Sequence, residues 1–135
     1  MEKILIKPLS VNSAFKGRRF KTKKYENYEL ELTYKAPIIQ VPKGKLLVFF
    51  EFGLSSSGSD IDNCLKQNID ILSKKYKFND NQIFDICVKK VVVKKGFEYI
   101  KFMFLEADKY EFKLVEIWKI QQHKSHLGQK ISILN

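Results

Sequence analysis

Two rhythms of apolar and polar positions run along this chain. Lys3 to Lys7, KILIK, reads as a short apolar strand that Pro8 stops. Leu9 to Phe15 is rich in turn formers. From Thr22 to Tyr34, Tyr25, Tyr28 and Leu32 recur at helical spacing, while Tyr28, Leu30, Leu32 and Tyr34 alternate as a strand would; helix is the reading taken. Pro37 and Pro42 bracket a loop, and Gly44 opens KLLVFFEFGL, whose two faces are both apolar, as expected of a central strand. After the connector Ser55 to Ser59, SSSGS, the pattern changes to a helix. Ser59 or Asp60 serves as its N-cap, and Ile61, Leu65, Ile69, Leu72 and Tyr76, with Cys64, form the stripe that packs on the sheet. Asp62, Lys66 and Asp70 lie on the opposite side. Gln82 to Lys94 reads as a strand, Lys94-Lys95-Gly96 as a turn and Phe97 to Leu105 as a further strand, so the pair is expected to be a β-hairpin. Tyr110 to Ile120 satisfies neither period cleanly and is read as a helix. The expected fold class is α+β: a small mixed sheet packed against helices, in one domain over residues 1–135 with a C-terminal extension from about 107.

Composition narrows the possibilities. With 44% hydrophobic residues the chain can bury a core, and no run reaches the roughly 18 to 20 apolar residues of a membrane span. The N-terminus MEKILIKPLS has too short an apolar segment for a signal peptide, so a cytoplasmic location and no membrane partner are expected. Cys64 and Cys87 make neither a disulfide framework nor a zinc knuckle and are read as small buried apolar residues. Lys and Arg number 25 against 15 Asp and Glu, a net charge of +10 that calls for an acidic partner, nucleic acid first. Residues 16–24, KGRRFKTKK, place Lys16, Arg18, Arg19, Lys21, Lys23 and Lys24 among Phe15, Phe20 and Tyr25, suited to phosphate contact. Lys89, Lys90, Lys94 and Lys95 form a second basic group. His123 and His126 stand in a polar tail with no nearby carboxylate and read as surface; Trp118 reads as core or dimer contact.

Against this basic whole, acidic side chains gather in Ser59 to Gln82, SDIDNCLKQNIDILSKKYKFNDNQ. Pro8-x-Ser10-x-Asn12, then Asp60-x-Asp62-Asn63-x-x-Lys66, then Asp80-x-Gln82-Ile83 leading into a strand, resembles the RusA family of Holliday junction endonucleases over about residues 4–105. The resemblance implies a RusA-like, homodimeric fold in which Asp60, Asp62 and Asp80 are catalytic carboxylates holding Mg²⁺, with Mn²⁺ as the alternative, and Lys66 is an essential lysine. It also implies branched DNA, the four-way junction, as substrate. Family members commonly carry two aspartates in the turn; here the first is Asn79, and nothing in the resemblance accounts for residues after about Ala107.

The chemistry is consistent with that reading. Phosphodiester hydrolysis needs an activated water, a polarised phosphoryl oxygen and a stabilised leaving oxyanion, all of which a divalent ion on hard oxygen ligands supplies. Lys66 lies one turn after Asp62, where its ammonium can neutralise phosphate charge, and Asn63 and Gln82 can add supporting hydrogen bonds. Taken singly, each aspartate is equally an ordinary cap, surface pair or turn former. Positions two apart on a helix point roughly 200° apart, so Asp60 must precede the helix proper to share a metal with Asp62. A helix over about 61–75 is roughly 22 Å long. It leaves Asp80 at the far end, with about 17 Å of chain to return. A two-fold dimer in which Asp80 of one subunit joins Asp60 and Asp62 of the other is therefore expected. The competing reading is a metal-free, basic DNA-binding protein on the same scaffold.

Overall fold

A computed structural model describes residues 1, 3–17, 20–110 and 113–126. The chain is mixed α and β. β1 (Ile4–Leu5) leads through the short α1 (Val11–Ala14) to a two-stranded ribbon of β2 (Phe15–Lys16) and β3 (Phe20–Lys21), and then to α2 (Lys23–Lys35). The helical reading of the Tyr25 stripe holds, because Thr22 caps α2 by accepting the Tyr25 amide and Tyr25, Tyr28 and Leu32 are buried. Leu30 and Tyr34, which the strand alternative needed inside, are exposed.

β4 (Leu46–Leu54) is the centre of a sheet ordered β1-β6-β4-β5, where β5 spans Ile83–Val92 and β6 spans Tyr99–Glu106. β4 pairs parallel with β5 and antiparallel with β6. The expected β5/β6 hairpin is therefore absent: the Lys94-Lys95-Gly96 turn forms, with the Phe97 amide on the Lys94 carbonyl, but the chain crosses to the far side of β4. Local turn chemistry cannot distinguish a hairpin from a crossover, and β4, apolar on both faces, takes the central place between the two strands.

Between β4 and β5 the chain makes a 3₁₀ turn (Ile61–Cys64) and α3 (Leu65–Tyr76). The buried face of this stretch is Cys64, Gln67, Asn68, Ile71 and Leu72, so the expected stripe is rotated. Leu72 and Cys64 stay inside, Ile61 is exposed, and Leu65, Ile69 and Tyr76 are half-buried. Cys64, Gln67, Asn68, Ile71 and Leu72 keep one helical period, and the face is turned toward the side where Gln67 finds the Leu9 and Asn63 carbonyls and Asn68 finds the Cys64 carbonyl and the Tyr28 hydroxyl. The core joins Tyr25, Tyr28 and Leu32 of α2, Ile71 and Leu72 of α3, and Val48, Phe50, Phe52, Ile100 and Phe102 of the sheet. α3 ends at Lys77 in the left-handed region, φ 56°, and the chain turns back toward β5.

On the sheet's other face Tyr99 lies across Gly53, where a Cβ would come within 2.3 Å of the ring. Its hydroxyl donates to Glu51 at 2.7 Å. Lys101 and Lys89 stand 3.5 Å and 3.8 Å from the same carboxylate. The Tyr99 hydrogen bond, aided by the lysines, holds Glu51 below its usual pKa, and burial pushes Tyr99 up to about 12.

α4 (Lys113–His126) confirms a helix in the tail, longer than expected. Trp118 on it is 60% exposed and so is not a core residue. Cys64 is buried and Cys87 half-buried, so only the first fits the expected burial fully. No helix among the described residues is long and apolar enough to cross a membrane.

Candidate active site

The start of the acidic stretch is held by neutral hydrogen bonds. Gln67 Nε2 donates to the Leu9 and Asn63 carbonyls at 2.5 and 2.6 Å, Asn68 Nδ2 donates to the Cys64 carbonyl at 2.6 Å, and the Tyr28 hydroxyl donates to Asn68 Oδ1 at 2.7 Å. Burial raises the Tyr28 phenol well above its usual range and takes the Cys64 thiol to about 11, so both stay protonated. Gln67 and Asn68 escaped the sequence reading because polar residues beside an apolar stripe look like a solvated face. Their signal was position, since they sit between the buried turns of the helix.

This bracing presents Asp60 and Asp62 to opposite sides. Asp60 occupies the cap position in extended conformation (φ −72°, ψ 138°), as the geometric argument required. Its carboxylate lines a cleft of about 490 Å³ with Lys7, Pro8, Ser10, Lys24, Asn27 and Asn63. Pro8 and Ser10, singled out by the family resemblance, thus meet Asp60 there. Asp62 instead lines a groove of about 430 Å³ together with Lys66, Asp70 and Asp80, floored by Leu65, Ile69, Ile83 and Ile86. One chain therefore brings Asp62, Lys66 and Asp80 to one groove and leaves Asp60 on the other side of the helix start. Among the described residues no three His, Cys, Asp or Glu side chains are placed to hold a metal ion.

Asp80 opens a 3₁₀ turn (Asp80–Gln82) capped by Asn79, whose side chain accepts the Asn81 amide at 3.0 Å. Gln82 closes this capping box by accepting the Asn79 amide at 2.8 Å and donates to the Gly44 carbonyl at 3.0 Å. Gln82 thus supports Asp80 through the backbone. Asn79 is the cap of this turn. Lys66 pairs with Asp70 at 3.5 Å, the residue following it by one turn, in place of Asp62. The side chains of Asp60, Asp62 and Asp80 have no hydrogen-bond or ion-pair partner among the described residues, and all three are exposed.

The basic residues divide. Lys16, Lys21, Lys23 and Lys24 are exposed on or beside the β2/β3 ribbon, while Arg18 and Arg19 lie outside the described residues. Lys21 stands against Lys74, and that contact lowers its pKa, while Lys74 is itself paired with Glu29 at 3.4 Å. The Lys90 ammonium donates to the Ser57 and Ser59 carbonyls at 3.0 and 2.9 Å and ties down the loop before Asp60. Lys94 and Lys95 are exposed at the same end of the sheet, since Val92 pairs with Leu54. His123 is exposed, as expected; the side chain of His126 is outside the described residues. No protein-family model matches the chain, and no curated protein matches it.

Proposed function

We propose that the protein is a Mg²⁺-dependent, structure-specific endodeoxyribonuclease that works as a homodimer, resembles the RusA family, and resolves four-way DNA junctions by paired nicks. The observation that carries this reading is the one groove that Asp62, Lys66 and Asp80 line together although Asp80 is distant from the others in sequence. Asp62 and Asp80 suit a divalent ion: they are hard oxygen donors with no protein partner to displace. When bound, the ion supplies an activated water and a polarised phosphoryl oxygen. Lys66, tethered by Asp70 at the groove wall, is positioned to meet phosphate charge. Asp60 lines the other cleft and does not reach this groove within one chain. Net charge +10 and the exposed lysines of the β2/β3 ribbon suit the junction arms, gripped through phosphates.

The test is a synthetic four-way junction incubated with the protein and Mg²⁺, beside an Asp62→Asn control. Paired symmetric nicks that the control lacks are expected. A second reading, a metal-free DNA-binding protein on this scaffold, draws on the separation of Asp60 from Asp62 and on the lack of a three-carboxylate cluster among the described residues. Tight junction binding with no nicking in Mg²⁺ or Mn²⁺ would decide for it. A flap and fork panel in the same assay ranks the substrate preference.

A further inference from the structure

β5 is a strand of 10 residues at the edge of the sheet, whereas β1 at the other edge has 2. Among the described residues no strand pairs with its outer side. Long edge strands present a row of free backbone donors and acceptors and are templates for another strand unless blunted. This one carries no proline, and Phe84, Ile86 and Val92 on it are 63%, 38% and 55% exposed.

We propose that β5 pairs antiparallel with β5 of a second copy of this chain, across a two-fold axis at Cys87, joining the two sheets into one. This is the interface of the homodimer proposed above, and it rests on that reading for the active centre it completes. Side chains directly opposite in an antiparallel pair share a face. Leu47, Phe49 and Glu51 of β4 lie beside Asp85, Cys87 and Lys89 of β5, which places those three on the face of the sheet that carries Glu51. With Cys87 opposite its own copy, Asp85 meets the partner's Lys89, and Lys89 meets the partner's Asp85. On the helix side Ile86 meets the partner's Val88.

Neighbouring registers are worse. An axis at Lys89 opposes like charges, and one at Val88 sets Asp85 against valine and Ile86 against lysine. An axis passing between Cys87 and Val88 opposes Asp85 to Lys90, which is already held by the Ser57 and Ser59 carbonyls. Nor is it an antiparallel ladder, because a two-fold passing between residues would set side chains of opposite faces directly against each other. The Cys87 register alone matches charge to charge and keeps both helical layers on one face.

The groove holding Asp62 and Asp80 is lined by β5 itself, through Ile83 and Ile86. α3 runs back from the Leu54 end of β4 to the Ile83 end of β5, so Asp62 sits at one end of the groove and Asp80 at the other. The two-fold lays Ile83 of one copy beside Val91 of the other. The partner's Asp80 then comes to the Asp62 end, which is the shared centre that one chain cannot close.

Two reciprocal charge reversals test the interface. Asp85→Lys alone opposes lysines twice, Lys89→Asp alone opposes aspartates twice, and a mixture of the two restores both pairs. The wild type is expected to elute as a dimer, each variant alone as a monomer with affinity weakened about tenfold or more, and the equimolar mixture as a dimer. Regained dimerisation shows that both variants fold. On the unmodified chain, opposed Cys87 residues lie within disulfide reach, because antiparallel neighbours stand about 4.5–5.5 Å apart at Cα. Copper phenanthroline, accepting the two electrons, should therefore link the wild type into a covalent dimer and leave Cys87→Ser unlinked, while buried Cys64 does not compete.

A monomeric wild type, reversals that dimerise as tightly as wild type, or a dimer that does not link at Cys87 each overturn the proposal. Cleavage is scored separately. Junction cutting by a dimer that fails these tests removes the interface and leaves the nuclease; a β5-paired dimer that cuts no junction removes the nuclease and leaves the interface.

Discussion

Two acidic regions of this small protein treat their carboxylates in opposite ways. Glu51, on the outer face of the sheet, is 12% exposed in its side chain and satisfied by the Tyr99 hydroxyl with Lys101 and Lys89 alongside. Asp62 and Asp80, in the groove beside α3, are exposed and have no partner. The first charge serves the fold, so its removal is felt in stability. The second serves nothing in the isolated chain, and groups left unpaired near a lysine and an apolar floor are the ones available for chemistry.

The sharpest way to break this contrast is to neutralise the groove. Asp62→Asn and Asp80→Asn should each lower junction cleavage more than about 100-fold. Their melting temperatures should equal or exceed that of the wild type, since no native contact is lost; a marked fall in melting temperature would place these aspartates with Glu51 as structural. Next in size, Gly53→Ala drives a methyl into the Tyr99 ring and unseats the donor to Glu51. Overpacking of this kind costs about 1–3 kcal/mol, which chemical denaturation measures directly.

Glu51→Gln probes the same patch more gently. A charged hydrogen bond lost there costs about 1–2 kcal/mol at neutral pH. Because the folded pKa of Glu51 is depressed, this stability is complete above the unfolded value of about 4.3 and is lost as pH falls through the lower folded value. The gap between variant and wild type in thermal melts should therefore close below about pH 4. A gap unchanged at low pH would mean that the carboxylate's shape, and not its charge, is what the patch uses. The smallest effect belongs to Lys66→Ala, whose exposed pair with Asp70 is worth no more than about 0.5 kcal/mol in a denaturant melt. A loss of cleavage far beyond that figure is expected.

Much of this was legible in the chain. Leu46–Leu54 announced a central strand because both its faces are apolar, and Asp60 could be placed ahead of the helix because Ser59 and Asp60 are capping residue types just before the apolar stripe. The groove pairing of Asp62 with Asp80 was out of reach. A length estimate along α3 shows that the helix separates them, but not that the chain folds back so that one groove runs between both. The β5/β6 hairpin does not form for a related reason: Lys94-Lys95-Gly96 fixes a turn, whereas the choice of neighbour is made by β4, which ends at Leu54, far earlier in the chain. The stripe of α3 is rotated because two amides, Gln67 and Asn68, take buried positions, which no apolar pattern signals. Gln67 and Asn68 were passed over because a buried amide is recognisable only by the carbonyls it finds.

The knot under Asp80 has one more consequence. Asn79, Asn81, Gln82 and the Gly44 carbonyl hold the turn with amides alone, and the brace of Tyr28, Gln67 and Asn68 behind Asp62 is likewise uncharged. Added electrolyte screens ions and leaves such neutral bonds in place. The groove should then keep its shape across a salt titration, and the slope of log affinity for DNA against log salt would count phosphate contacts, uncontaminated by loosening of the groove proposed to cut.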